Sequence, residues 1–292
     1  MIIAVASGKG GTGKTTIATS LARALDEDVQ FLDCDVEEPN AHIFLKPKIT
    51  RTEIVSIPVP SVDDARCDYC GVCGQICAYN ALAVLKSKVL VFSHLCHGCG
   101  GCRLLCPQQA IAEVDKEIGV VEIGTSGSLQ FVHGTLTIGE VMSPPVIRAV
   151  KKHIDPHRTV VIDAPPGTSC PVIEAIRGSD CCVLVTEPTP FGLHDLMLAV
   201  EVVRKLKIPC GVIINRADIG DTNVEKYCAA ERIPVLMRIR FDEKIARMYS
   251  KGILLITECT DYIEQFRKMS EKIKEIIYES ATNRYHSHAV QA

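Results

Sequence analysis

Short, wholly apolar runs alternate along this chain with longer stretches in which apolar residues recur at helical spacing. Ile2-Ile3-Ala4-Val5-Ala6 leads through a glycine-rich turn to a periodic stretch ending at Leu25, and Val29-Gln30-Phe31-Leu32 follows. Thr159-Val160-Val161-Ile162, Val183-Leu184-Val185-Thr186 and Gly211-Val212-Ile213-Ile214 have the same unbroken character. Runs with no polar alternation predict strands buried on both faces. Their interleaving with helical patterns predicts an α/β fold built on a doubly wound, mostly parallel sheet. A last helical pattern covers about residues 262–279, and a polar tail, Asn283 to Ala292, carries His286 and His288, both expected to be exposed.

The alternation breaks after the second strand. Pro58 and Pro60 mark the break, and the Gly/Ser stretch from Gly124 to Ser128 marks the return. With 292 residues allowing about two domains, the expected division is a main domain at 1–59 and 116–292 with an inserted module at 60–115. Within the module, Ala83-Val84-Leu85 and Val89-Leu90-Val91 flank Lys86-Ser87-Lys88, a small hairpin by pattern.

The module carries an internal repeat. Cys67, Cys70, Cys73 and Cys77 read C-x₂-C-x₂-C-x₃-C; Cys96, Cys99, Cys102 and Cys106 repeat it 29 residues on, and Ala81-Leu82 recurs as Ala110-Ile111. Soft thiolates at this spacing suit iron–sulfur clusters. Structural zinc pairs two C-x₂-C knuckles and has no place for a third cysteine three residues on. A disulfide framework needs an oxidising compartment, and no signal peptide precedes the first strand. The runs resemble those of bacterial two-cluster ferredoxins, in which the fourth cysteine of each run serves the other run's cluster. The resemblance implies one [4Fe–4S] cluster on Cys67, Cys70, Cys73 and Cys106, and a second on Cys96, Cys99, Cys102 and Cys77. Pro107 follows the second run, but Ala78 stands in its place after the first, restoring a backbone N–H and a means for the two clusters to differ in potential. Of the other cysteines, Cys181, Cys182 and Cys210 read as small buried apolar residues, whereas Cys34, Cys228 and Cys259 give no signal.

After the first strand comes Ser7-Gly8-Lys9-Gly10-Gly11-Thr12-Gly13-Lys14-Thr15-Thr16, a G-x₄-G-K-[ST] motif between strand and helix. Its glycines let successive N–H groups face phosphate oxygens at the helix start. Lys14 is placed to neutralise the β and γ phosphates of ATP, and the Thr15 hydroxyl to ligate Mg²⁺.

Lys9, directly after the first glycine, makes this the deviant form of the P-loop, and the chain resembles the MinD/ParA/Mrp ATPases and the nitrogenase iron protein. The resemblance implies a dimer sandwiching ATP, with Lys9 reaching the partner's nucleotide. It implies further that Asp35 orients the attacking water, that Asp33 supports Mg²⁺ through water and that Asp163 is the Walker-B carboxylate. Pro165-Pro166-Gly167 match switch II, which senses the γ-phosphate, and Asn215 matches an adenine-reading asparagine. Ile239-Arg240-Phe241-Asp242 occupy the loop over the adenine, where the family often has proline. Together the motifs resemble MinD-superfamily ATPases with an inserted ferredoxin domain.

The expectation is an Mg²⁺-dependent ATPase whose dimer rearrangement is coupled to electron transfer through two [4Fe–4S] clusters. The alternative is a carrier that delivers clusters to apo-proteins, although the C-x₂-C of Mrp-like carriers is missing from the C-terminal half. A MinD- or ParA-like positioning switch is a third reading. The partners implied are a second copy or a paralogue, together with a redox or apo-iron–sulfur protein. A net charge of −3 without a basic run gives no support for nucleic-acid binding. No apolar stretch reaches the ~20 residues needed to span a bilayer, and a cytoplasmic location is expected. Cys170, seven residues beyond Asp163, stands where the nitrogenase iron protein has a cluster ligand, but its companion cysteine is missing, with Thr135 in that region. It reads as a helix-start cysteine; the alternative is a labile extra ligand shared with a dimer mate.

Overall fold

The computed structural model describes residues 1–25 and 28–289, with side chains through residue 282. Eleven strands are present among them: β1 (Ile2–Ser7), β2 (Val29–Asp33), β3 (Lys48–Val62), β4 (Leu82–Leu85), β5 (Lys88–Val91), β6 (Ile111–Ser126), β7 (Leu129–Leu136), β8 (Thr159–Pro166), β9 (Cys181–Thr186), β10 (Cys210–Asn215) and β11 (Val235–Ile239). The helices are α1 (Lys14–Ala24), α2 (Ala41–Leu45), α3 (Val72–Gln75), α4 (Gly101–Leu104), α5 (Ser143–Lys151), α6 (Cys170–Ile176), α7 (Pro190–Lys205), α8 (Asn223–Ala230), α9 (Glu243–Ser250), α10 (Leu255–Glu258) and α11 (Asp261–Ala289). The final helix runs ten residues past its expected end; the side chains of His286 and His288 lie outside the described residues.

Nine strands form one sheet in the order β11-β10-β9-β1-β8-β2-β7-β6-β3, parallel except where β6 runs against β7 and β3. Every residue of β2 and β9 is buried, which is why their sequences show no alternation. One face packs against α1, α10 and α11 through Ile17, Leu21, Leu255, Phe266 and Ile273; the other packs against α5 to α8 through Val146, Ile147, Val172, Leu196 and Val224.

Pro58 and Pro60 do not end a strand. Both lie inside β3, which pairs with β6 from Lys48↔Thr125 to Val62↔Ile111. β3 is the sheet's edge strand, the position in which proline's missing N–H costs no ladder bond. Likewise Gly124 is within β6, where a Cβ would sit 2.3 Å from the Lys48 carbonyl oxygen, so this glycine serves close strand pairing rather than a linker. β7 stops at Leu136, opposite Gly119, while the β3–β6 ribbon continues about seven residues further, roughly 24 Å. Residues 63–110, including the β4–β5 hairpin, hang from the end of that ribbon. β7 is parallel to β2, so the ribbon leaves from the sheet edge at which β2 ends in Asp33.

Two glycines let α5 seat closely on the sheet. A Cβ on Gly134 of β7 would meet Val150, Val36 and Val146 methyl carbons at 2.8–2.9 Å, and one on Gly119 of β6 would meet the Thr135 oxygen at 2.5 Å and a Val146 methyl at 3.0 Å. Neighbours that close must move, and overpacking of this kind costs about 1–3 kcal/mol. Gly134→Ala is therefore expected to lower stability by that amount in urea unfolding with an unchanged m-value; an unchanged midpoint would show that α5 is not held there.

Candidate functional site

β1, β8 and β2 are neighbours, and their C-terminal ends place three sequence signals together. Asp33 and Asp163 are directly paired across β2 and β8, and the turn after β1 runs beside them into α1. This is the crevice at the carboxyl ends of parallel strands where open α/β sheets bind ligands. Gly11 (φ 77°) and Gly13 (φ 90°) adopt left-handed conformations, and a Cβ on Gly13 would lie 2.6 Å from the Asn215 amide nitrogen. Ser7, Gly10, Gly11, Gly13, Lys14, Thr15, Thr16, Asp35, Pro166 and Asn215 line a cavity of about 360 Å³, whose far end is formed by Arg216, Arg240, Phe241, Ile245 and Tyr249. Of the remaining motif residues, Gly8 is packed so closely on α7 that a Cβ would fall 2.3 Å from the Asp195 oxygen. Thr12 is buried, with an unpartnered hydroxyl.

The Lys14 ammonium donates to Asp163 Oδ1 at 2.7 Å and lies 3.6 Å from Asp35. Burial alone would lower the Lys14 pKa, but Asp163, Asp35 and Asp33 outweigh it and the net shift is upward. Asp33 is fully buried and accepts the Asp35 and Ala41 N–H groups at 3.1 Å each. Desolvation, then the charge of Asp163, push it up to about 8 against the opposing pull of Lys14. Desolvation likewise raises Asp35 to about 6, with Lys14 opposing. Asp163 Oδ2 is buried without a hydrogen-bond partner. Three carboxylates thus surround one ammonium, and the orphaned Asp163 Oδ2 is a hard oxygen of the kind a divalent cation takes.

Lys9 does not line this cavity. Its ammonium lies 3.2 Å from Glu187 Oε2, while Arg216 donates to Glu187 Oε1 at 2.7 Å. Asn215 donates its amide to the Thr12 carbonyl at 2.8 Å and accepts the Arg216 N–H at 3.0 Å, bracing the P-loop from the cavity wall. Pro165 and Pro166 end β8; Gly167 (φ 96°) donates its N–H to Ser7, and Cys170 is exposed in the first turn of the seven-residue α6. Glu187 was missed by sequence reasoning although it stands at the end of a buried strand, the same signal that marked Asp33 and Asp163. Tyr249 gave no local signal.

Eight cysteines form two further sets. Cys67, Cys70, Cys73 and Cys106 line one cavity, and Cys77, Cys96, Cys99 and Cys102 line another. Each set takes three thiols from one run and one from the other. The sequence repeat is also a repeat of backbone shape: Tyr69 and Gly98 (φ 56° and 63°), Gly71 and Gly100 (85° and 72°), and Asn80 and Gln109 (53° and 50°) are equivalent left-handed positions, and α3 corresponds to α4. Ala81 and Ala110 donate their N–H groups to Cys77 and Cys106 sulfurs, both at 3.3 Å. Among the described residues no three His, Cys, Asp or Glu side chains converge on a single-ion site. Cys34, Cys181, Cys182 and Cys228 are buried, and burial pushes the Cys181 thiol up to about 12. No helix among the described residues is long and apolar enough to cross a membrane.

A model of the CobQ/CobB/MinD/ParA nucleotide binding domain matches residues 3–256. The chain belongs to this family. It is 29% identical over 282 residues to an uncharacterized protein of Methanocaldococcus jannaschii, covering 95% of this chain and 98% of that one. It is 23% identical over 297 residues to an iron-sulfur cluster carrier protein of Pyrococcus horikoshii, covering 93% and 84%. Among solved structures, the septum site-determining protein MinD of Pyrococcus horikoshii, complexed with Mg-ADP, superposes with a TM-score of 0.56 at 19% identity, covering 96% of this chain and 98% of that one. The mostly parallel sheet is thus that of a MinD-like P-loop domain.

Protonation of Asp33 has a measurable consequence. An unfolded aspartate releases its proton near 4, whereas folded Asp33 holds it to about 8, so between those values the folded state binds more protons and this carboxyl lowers stability as pH rises. Asp33→Asn removes that dependence. In metal- and nucleotide-free protein, its stability relative to wild type is expected to rise steadily from about pH 5 to about pH 8. A difference that is flat or falls with pH would show that Asp33 is ionised in the folded state.

Proposed function

We propose that this protein is a dimerising, Mg²⁺-dependent ATPase that couples its nucleotide state to electron transfer through two [4Fe–4S] clusters. The observation that carries this reading is the partition of eight cysteines into two four-thiol cavities on a ribbon that leaves the sheet from its nucleotide-binding edge. The clusters, when bound, supply one-electron chemistry; Cys67, Cys70, Cys73 and Cys106 hold one, and Cys77, Cys96, Cys99 and Cys102 the other. In this reading residues 60–115 act as the iron–sulfur module and the remainder as the ATPase.

In the ATPase, the P-loop N–H groups and Lys14 bind the phosphates and Thr15 ligates Mg²⁺, with Asp33 and Asp163 behind it. Asp35 orients the attacking water, a role in hydrolysis rather than binding. Asn215, Arg216, Arg240 and Phe241 surround the base. Lys9 is outside its own cavity, as expected of a residue that serves a second copy or a paralogue across the dimer. Cys170 is read as a structural helix-start residue.

Coupling has a physical route in α5, which contacts β3, β6 and β7 on one side and α6 on the other. Lys151 donates to the carbonyls of Glu174, Ala175 and Arg177 at 2.8, 2.9 and 2.6 Å, tying α5 to the end of the switch II helix. The names of relatives such as the Pyrococcus carrier favour a second reading, delivery of a cluster to an apo-protein.

Anaerobically purified protein should contain about eight iron and eight sulfide per chain. Lys14→Ala should abolish ATP hydrolysis without changing that content. Incubation with an oxidised or apo-acceptor, with and without ATP, then separates the readings. ATP-dependent reduction of the acceptor with iron retained supports electron transfer; ATP-dependent transfer of iron supports the carrier. Zinc without sulfide overturns both.

A further inference from the structure

The two cysteine cavities share a backbone but not an electrostatic environment. Under the 29-residue repeat, Asp68 corresponds to His97 and Gln108 to Tyr79. The first pair lines the Cys67/Cys70/Cys73/Cys106 cavity, where Gln108 donates to the Asp68 carboxylate at 3.0 Å. The second lines the Cys77/Cys96/Cys99/Cys102 cavity, where the Tyr79 and His97 rings stack at 3.5 Å and 8°. A carboxylate at one cavity is thus replaced by two stacked rings at the other. The approach segments differ in the same sense: Asp63, Asp64 and Asp68 against one Arg66 precede and enter the first run, whereas residues 92–97 contain no Asp or Glu. Glu113 also lines the second cavity, but Arg103 pairs with it at 2.7 Å.

Hydrogen bonds to sulfur point the same way. Gly98 donates its N–H to Cys96 Sγ at 3.4 Å, and no equivalent bond joins Tyr69 to Cys67 among the described residues. In the first half, the Cys70 N–H is directed instead to Asp68 Oδ1, at 3.2 Å. Gly98 packs on β3, where a Cβ would meet the Pro58 oxygen at 3.1 Å. Donors to sulfur favour the reduced, more negative cluster, and nearby carboxylates oppose it.

We propose that these differences fix the order of reduction, so that the cluster held by Cys77, Cys96, Cys99 and Cys102 has the higher potential and holds the first electron. The inference rests on the two-cluster reading above. It also gives the module a direction. The higher-potential cavity lies against Pro58 and Pro60, closer along the ribbon to the ATPase sheet; the lower-potential one lies at the ribbon tip, against Val62 and Ile111. An electron from a low-potential one-electron donor therefore enters at the tip and comes to rest nearer the sheet, with no bond made or broken.

The test is an EPR-monitored redox titration of the full chain, anaerobically purified, with iron and sulfide assayed on each sample. Wild type should show two separate one-electron waves. Asp68→Asn should raise only the lower wave, and His97→Asp should lower only the higher one, so that the double variant brings the two together. Coincident waves in wild type overturn the proposal. So does an Asp68→Asn variant that moves the higher wave or neither. Two intact clusters with either result would refute this ordering alone; sulfide-free protein would refute the cluster reading and the ordering with it.

Discussion

One buried ammonium faces three carboxylates where β1, β2 and β8 end, and the rest of the site is arranged around that imbalance. Lys14 is committed to Asp163 and lies within range of Asp35, so Asp33 is left to backbone N–H donors and to partial neutralisation by a proton. The arrangement is costly to keep in a protein interior unless something positive completes it. In the proposed ATPase a divalent cation would complete it and would bring the phosphates that Lys14 and the loop N–H groups are proposed to bind. In that reading ligand binding is linked to the ionisation of Asp33 and Asp35.

Much of this was legible in the sequence because it is local. A glycine-rich turn between strand and helix, carboxylates at the ends of apolar runs and two cysteine runs at one spacing are each readable within a dozen residues. The ribbon was not legible in the same way. Pro58 and Pro60 are turn signals in most contexts, and only knowledge that β3 is an edge strand shows why they do not break it. Gly124 likewise reads as linker until its close approach to Lys48 is seen. Non-local partners were the general limit. The pairing of Lys9 with Glu187 spans 178 positions, and that of Asn215 with Thr12 spans 203. The backbone equivalence of Tyr69 with Gly98 was hidden because one residue type tolerates a left-handed conformation easily and the other does not.

In the proposed coupling the connecting helix is short, and its placement gives a change at the nucleotide a route outward. α5 lies over Gly119 and Gly134 with no room for a methyl group between helix and strand, so it can move only with β6 and β7 or by sliding along them. Val36, one residue beyond Asp35, packs at the same spot, and its carbonyl accepts the Leu136 N–H at 2.8 Å, which fixes the segment after β2 to the end of β7. On the opposite flank, Lys151 has three protons to give and three carbonyls at the end of α6 to receive them, so the C-terminal end of α6 is fixed to α5 as well. Packed interiors shift between discrete arrangements rather than deforming smoothly. In the proposed coupling, a displacement of the Asp35–Val36 segment or of α6 that outweighs these contacts repositions α5, and the structure that yields is the free half of the β3–β6 ribbon. Beyond Leu136 no third strand lies beside that ribbon among the described residues, and it carries all eight paired-run cysteines at its end.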